Sequence, residues 1–166
     1  ILEMSVGPFL EKLENDFSLI RKIRPIFSKP TGRIVKYEIV DNFLSFWFGF
    51  IFKNYSAVEI GNFEFLKNQV RRDYPTFSGK MLERYFIEKL RASGEFSQIG
   101  TYWDRKNSNE IDIVAINEHE KRAVFAEVKM NKSKISLAEL QEKSKALDSY
   151  LEGYSKEFLR LSLEDI

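Results

Sequence analysis

Apolar and polar positions organise the chain around the stretch from Glu110 to Lys129. Both of its arms, Glu110-Ile111-Asp112-Ile113-Val114-Ala115-Ile116 and Ala123-Val124-Phe125-Ala126-Glu127-Val128-Lys129, are rich in apolar and β-branched residues, and the polar residues Asn117 to Lys121 separate them. That pattern predicts a β-hairpin. Alternation puts Glu110 and Asp112 on one face of the first arm and Ile111, Ile113 and Ala115 on the other, while Glu127 and Lys129 share a face of the second. A turn centred on His119 and Glu120 sets Asp112 opposite Glu127 and Glu110 opposite Lys129, with opposed Cβ atoms about 5 Å apart.

The remaining pattern predicts the elements around this hairpin. Phe9 to Glu14 reads as a short helix with Pro8 in its first turn. Leu19 to Phe27 and Arg33 to Ile39 read as two strands about a Ser28 to Gly32 turn. Asp41 is placed to cap a helix from Phe43 to Asn54 that is apolar on nearly every side, so it is expected to be covered all round, with Phe43, Phe46, Trp47, Phe50 and Ile51 in the core. A further helix spans Asn62 to Asp73 and breaks at Pro75. Ser78 to Ser93 forms the next, with Leu82, Tyr85, Phe86 and Leu90 as its buried stripe and Gly94 as its stop. Phe96 to Trp103 is expected to be a strand antiparallel to the Glu110 arm. Ser136 to Glu139 has the form of a capping box, opening a helix with the stripe Leu137, Leu140, Ser144, Leu147 and Leu151. Lys156 to Leu161 is then a last strand beside the Glu127 arm, parallel to it and reached by a crossover.

The expected class is α/β, with a mixed four-stranded sheet flanked by helices. Three segments follow: 1–40, a helix and two strands like the second half of a winged helix; 41–77, a helical connector; and 78–166, which holds the sheet.

Composition narrows the chemistry. A hydrophobic share of 43% beside 31% charged residues is that of a globular protein with a real core. The net charge of +1 gives no overall pull toward nucleic acid or membrane, so such binding must come from local patches. With no cysteine and His119 as the lone imidazole, disulfides, thiolate metal sites and zinc are set aside. The apolar run Phe43 to Phe52 is too short to span a bilayer. No signal peptide opens the chain, so a cytoplasmic location without membrane partners is expected, and Ile1 as first residue suggests a piece of a longer protein. Gly79-Lys80 is not a P-loop, because Tyr74 stands where its first glycine belongs and Met81 where Ser or Thr belongs, so no ATP site is expected.

Asp112 and Glu127 as close neighbours would repel unless a cation joined them. Mg²⁺ (or Mn²⁺) takes one or two carboxylates and leaves positions for water and phosphate oxygens. Lys129, on the face of Glu127, would supply a compact positive charge to a scissile phosphate or its attacking water. The alternative is an ion-pair cluster of Lys129 with Glu110 or Glu127 that holds strands together. Arg21, Lys22, Arg24, Lys29 and Arg33 form a run free of acidic residues that suits a DNA backbone, or simply a solvated hairpin. Arg105, Lys106, Lys132 and Lys134 are candidates to flank a phosphate path, or ordinary surface charges.

Asp112, Glu127, Val128 and Lys129 resemble the PD-(D/E)xK signature of the restriction-endonuclease-like superfamily. With Ile99-Gly100-Thr101-Tyr102-Trp103-Asp104, the two arms of the hairpin and Asp41-Asn42-Phe43-Leu44-Ser45-Phe46-Trp47-Phe48, they look like the C-terminal part of the archaeal-type AAA+ ATPases, a family also common in bacteria, whose C-terminal region of unknown function is nuclease-like. The resemblance implies a restriction-endonuclease-like core after the tail of a winged helix, and a carboxylate lent to the metal site by the helix before the first core strand, which falls on Glu83, with Glu88 as substitute. It also turns a residue such as Gln141, Lys143 or Lys145 toward the site. The implied activity is metal-dependent cleavage of DNA, with DNA and the ATPase module of the longer protein as partners and a homo-oligomer left open. The alternative is a nuclease-shaped module that does not cut and docks onto DNA, its own ATPase or another protein.

Overall fold

The computed structural model describes residues 5–166, so the first four positions of the segment 1–40 lie outside the described part. Contacts divide the chain into two compact units. One runs to Ile23 and resumes over Val35–Phe77; the other comprises Arg24–Ile34 and Ser78–Ile166.

The second unit is built on a four-stranded sheet in chain order, β3 (Gln98–Trp103), β4 (Glu110–Asn117), β5 (Arg122–Val128) and β6 (Ser155–Leu161). β3–β4 and β4–β5 are antiparallel and β5–β6 is parallel. Pairs from Asn117–Arg122 to Ile113–Ala126 centre the β4–β5 turn on His119 and Glu120, the expected register. Helices cover both faces of the sheet. On one, Val114, Ile116 and Phe125 pack with Leu140, Leu147 and Leu151, which come from α5 (Leu137–Ser144), the 3₁₀ segment Lys145–Tyr150 that continues it, and the residue beyond. On the other, Ile113, Ala126 and Val128 pack with Leu82, Phe86 and Ile87 of α4. Burial on both sides is why β4 and β5 are nearly uninterrupted apolar runs. The stripe of this part of α4 is therefore Leu82, Phe86 and Ile87, with Leu90 partly buried, while Tyr85 is exposed.

The expected alternation of β4 fails at one point. Ile111 packs with the α5-side cluster, whereas Ile113 packs with the α4-side cluster. The cause is a bulge: Gly100 pairs with Val114 but Tyr102 pairs with Ile111, so Asp112 and Ile113 together stand opposite Thr101. An extra residue on one strand re-aims the side chains around it.

In the other unit, α1 (Gly7–Asn15) starts with proline in its first turn and leads to the antiparallel pair β1 (Ile20–Ile23) and β2 (Lys36–Ile39). These strands are shorter than expected because the residues between them take other partners. Ile26 N–H donates to Thr101 O at 2.9 Å, and Phe27 stacks on Tyr150 with ring centroids 4.9 Å apart. Asp41 caps α2 (Asn42–Phe46), accepting from Leu44 N–H at 2.7 Å. The expected single helix to Asn54 is instead α2, a π turn (Trp47–Ile51), a 3₁₀ turn (Phe52–Asn54) and then α3 (Tyr55–Glu59). Nor is it covered all round. Phe46 and Phe50 pack edge-on against Phe77, and Phe50 is buried, while Phe43, Trp47, Phe48 and Phe52 are exposed. The pattern was apolar on every side, but its own unit supplies apolar partners on one side only.

α4 (Phe63–Ser93) is one continuous 31-residue helix, not two helices broken at Pro75. Proline removes the N–H that would bond the Arg71 carbonyl. Tyr74 and Phe77 pack together at this point, and Phe77 meets Phe46 and Phe50, so tertiary contact holds the helical course through the residue that should interrupt it. Ser136 caps α5 by accepting from Glu139 N–H at 3.3 Å, but the Glu139 carboxylate pairs with Lys143 at 3.2 Å, so the expected capping box is half made. Among the described residues, no helix is long and apolar enough to cross a membrane.

Candidate functional site

Two neighbouring strands bring the candidate residues together. Asp112 lies in the β4 bulge, Glu127 near the end of β5, and Lys129 just beyond it, where its N–H donates to Leu161 O at 3.1 Å and carries the pairing with β6 past Val128. The Lys129 Nζ lies 2.9 Å from Glu127 Oε1 and 3.9 Å from Asp112 Oδ2, so both carboxylates converge on one ammonium. Asp112 Oδ2 also accepts from Val128 N–H at 2.8 Å, which ties the bulge to the neighbouring strand. The two carboxylate side chains are 12% and 13% exposed, against 44% for Lys129, so the acids form a floor and the lysine reaches over it.

Electrostatics follows from that burial. Desolvation raises Asp112 to about 6, with the Glu127 and Glu110 charges adding to the rise and the Val128 N–H bond and Lys129 opposing it. Glu83, from α4, is raised to about 7, first by burial and then by the Asp112 charge, with Lys129 among the opposing charges. Glu83 is thus electrically part of the cluster. Burial lowers the affinity of Lys129 for its proton, but the hydrogen bond to Glu127 and the charges of Asp112, Glu127 and Glu83 outweigh it and hold the ammonium above its ordinary value. Glu88 is exposed.

Lys143 joins from α5, its Nζ 3.6 Å from Glu127 Oε2 and 3.2 Å from Glu139 Oε1. The Asn109 side chain donates to the Lys143 carbonyl at 3.1 Å, anchoring this end of α5 to the loop before β4. Of the three residues that the resemblance turns toward the site, Lys143 thus reaches Glu127, whereas Lys145 pairs with Glu142 at 2.5 Å. Lys134 lies close by, lining the same cavity as Glu127 and Lys129.

The other basic candidates go elsewhere. Lys132 bonds Asp165 at 2.6 Å. Arg105 and Lys106 are exposed on a turn held by Asp104, which accepts from Lys106 N–H and Ser108 N–H. Arg21 pairs with Glu38 and Lys22 with Glu14, so two of the five basic residues of the run from Arg21 to Arg33 are answered locally. Arg24 has a buried Nε without a hydrogen bond, Arg33 and Lys29 are exposed, and these three belong to a different unit from Arg21.

The donor set suits a hard divalent cation in one respect and falls short in another. Glu127 Oε2 is buried with no hydrogen-bond partner, and two carboxylates with room for other oxygen ligands is a Mg²⁺ pattern. Among the described residues, however, no three His, Cys, Asp or Glu side chains gather into a cage, so Asp112 and Glu127 would carry such an ion, with Glu83 coupled to it through the Asp112 charge.

Fold and site together define a mixed α/β protein with a half-buried carboxylate–lysine cluster at one end of a four-stranded sheet. The chain belongs to a family described as archaeal and bacterial proteins of unknown function, whose model matches residues 47–146. It is similar to an uncharacterized protein of Methanocaldococcus jannaschii, 33% identical over 129 residues, an alignment covering 74% of this chain and 28% of that relative. The chain thus matches little more than a quarter of the relative's length. No solved structure matches it.

Proposed function

We propose that the cluster is a divalent-cation-dependent phosphodiester-cleaving site on a restriction-endonuclease-like core, with DNA as substrate. The observation that carries the reading is the convergence of Asp112 and Glu127 on the Lys129 ammonium. Asp112 and Glu127 hold Mg²⁺ or Mn²⁺, which when bound supplies a Lewis acid for the phosphate and lowers the pKa of a coordinated water. Lys129 faces the scissile group, orients the water and offsets the charge that develops on the phosphoryl oxygens. The Val128 N–H bond to Asp112 Oδ2 fixes that carboxylate, so it meets a cation with little reorganisation. Glu83, raised to about 7 by burial and the Asp112 charge, lends the cluster a further carboxyl from α4. The sheet order β3-β4-β5-β6, with its one parallel pair at β5–β6, supports the core assignment. In the longer protein, the helix and two strands before this core serve as the tail of a winged helix that follows an AAA+ ATPase module.

Purified chain with Mn²⁺ and single-stranded, duplex and branched DNA tests the reading. Cleavage is expected, with Lys129→Ala and Asp112→Ala each slowing it by roughly a hundredfold or more, the scale of one lost transition-state contact. Uncut DNA of every form would overturn it. One observation favours a second reading, a docking module that does not cut: among the described residues no third carboxylate completes a metal cage. In that case no divalent cation raises the melting temperature.

A further inference from the structure

A cavity of about 290 Å³ opens beside the cluster, bounded by Glu127 and Lys129 from the strand side, by Lys134 and Ser136 from the segment that enters α5, and by Glu139 and Lys143 from α5 itself. Its three lysines are not equivalent. Lys129 pairs with Glu127, and Lys143 lies between Glu127 and Glu139, so these two ammoniums answer the two acids of the wall. Lys134 has no ion-pair partner among the described residues and is exposed at the rim. Its backbone is fixed nonetheless, in a 3₁₀ turn where Lys134 N–H donates to Asn131 O at 3.1 Å and the Asn131 side chain accepts from Ser133 N–H. Ser136 Oγ accepts from Glu139 N–H, which leaves its own proton free to donate into the cavity.

The wall therefore carries one positive charge more than it answers, beside a neutral hydroxyl donor. Compact ammonium charges and a hydroxyl suit a tetrahedral oxyanion; a planar carboxylate is better met by the fork of an arginine, and no arginine lines this cavity. We propose that the cavity binds a phosphate of the nucleic-acid strand other than the one cleaved, through the Lys134 ammonium and the Ser136 hydroxyl with the Lys143 ammonium behind them. The assignment of a nucleic-acid ligand rests on the nuclease reading, but binding is measurable without cleavage. The phosphate has two sources, a terminal 5′-monoester or an internal diester of the strand.

The test is fluorescence anisotropy with a short single-stranded DNA labelled at its 3′ end, carrying either a 5′-phosphate or a 5′-hydroxyl, in EDTA so that nothing is hydrolysed. Lys134→Gln is compared with the wild type and with Lys121→Gln, which makes the same charge change at the β4–β5 turn, outside the cavity. Lys134→Gln is expected to weaken binding roughly fivefold and to reduce the slope of log affinity against log salt by about 0.7, as loss of one phosphate contact on a single strand does. Lys121→Gln should leave both near wild type. If the loss appears only with the 5′-phosphate, the cavity takes a strand end; if it appears equally with both, it takes an internal phosphate. Either result upholds the phosphate site. Equal affinity and salt slope for Lys134→Gln and wild type, or equal losses in Lys134→Gln and Lys121→Gln, would overturn it. DNA left uncut in Mn²⁺ alongside a Lys134-specific loss of binding would sink the cleavage reading and leave this one standing.

Discussion

At the scale of single residues, the site is a set of acids held against their preference. Asp112 at about 6 and Glu83 at about 7 both bind protons more tightly folded than unfolded, where such carboxyls ionise near pH 4. Between about pH 4 and pH 7 the unfolded chain has already released protons that the folded chain retains, so stability falls as pH rises through that window and levels off above it. The change is on the order of 3 kcal/mol for a carboxyl displaced by about two units. Denaturant melts across this range are expected to show it, and Asp112→Asn should flatten much of the slope. A wild-type stability that climbs from pH 5 to pH 8 would contradict the burial of these two acids. Much at this scale was legible in advance. The turn centred on His119 and Glu120 gave the register that brings Asp112 and Glu127 to one ammonium, while the bulge that holds Asp112 was not foreseen. Lys143 is among the residues that the family resemblance turns toward the site, and it reaches Glu127. The Val128 N–H bond to Asp112 was not legible, since it depends on how separate elements meet.

At the scale of elements, periodicity located most of the sheet and failed where a local count changed. The β4 bulge moved Ile111 to the opposite cluster from Ile113, and no alternation rule announces an extra residue on one strand. Pro75 was read as a stop because local chemistry says so, yet α4 continues where Tyr74 and Phe77 pack. The α5 stripe was legible because Leu140, Ser144, Leu147 and Leu151 keep their buried positions even as the α-helix gives way to a 3₁₀ segment. Removing volume from that stripe tests the packing. Leu140→Ala and Leu147→Ala should each cost about 2–5 kcal/mol in denaturant unfolding, the range for fully buried leucines. Phe48→Ala, on the exposed aromatic face, should cost under about 0.5 kcal/mol. Equal losses at Leu140 and Phe48 would mean that the two-sided core is misassigned.

At the scale of the whole molecule, apolar residues are distributed unevenly. The sheet unit buries its own core, whereas in the other unit Phe50 is the buried apolar residue among the described ones, and Phe43, Phe48, Phe52 and Ile60 are exposed. The aromatic richness of residues 43–52 was legible in the sequence, but whether anything covers it was not, because coverage belongs to the neighbours of an element and not to its own pattern. The proposed cleavage requires Asp112 and Glu127 to share one cation in front of Lys129. Calorimetric titration of Mn²⁺ into the wild type, Asp112→Asn and Glu127→Gln addresses that directly. Saturable binding by the wild type, with a melting temperature that rises with Mn²⁺ and loss of both effects in either variant, is the predicted result. Absence of saturable binding by the wild type, or undiminished binding by both variants, would contradict it.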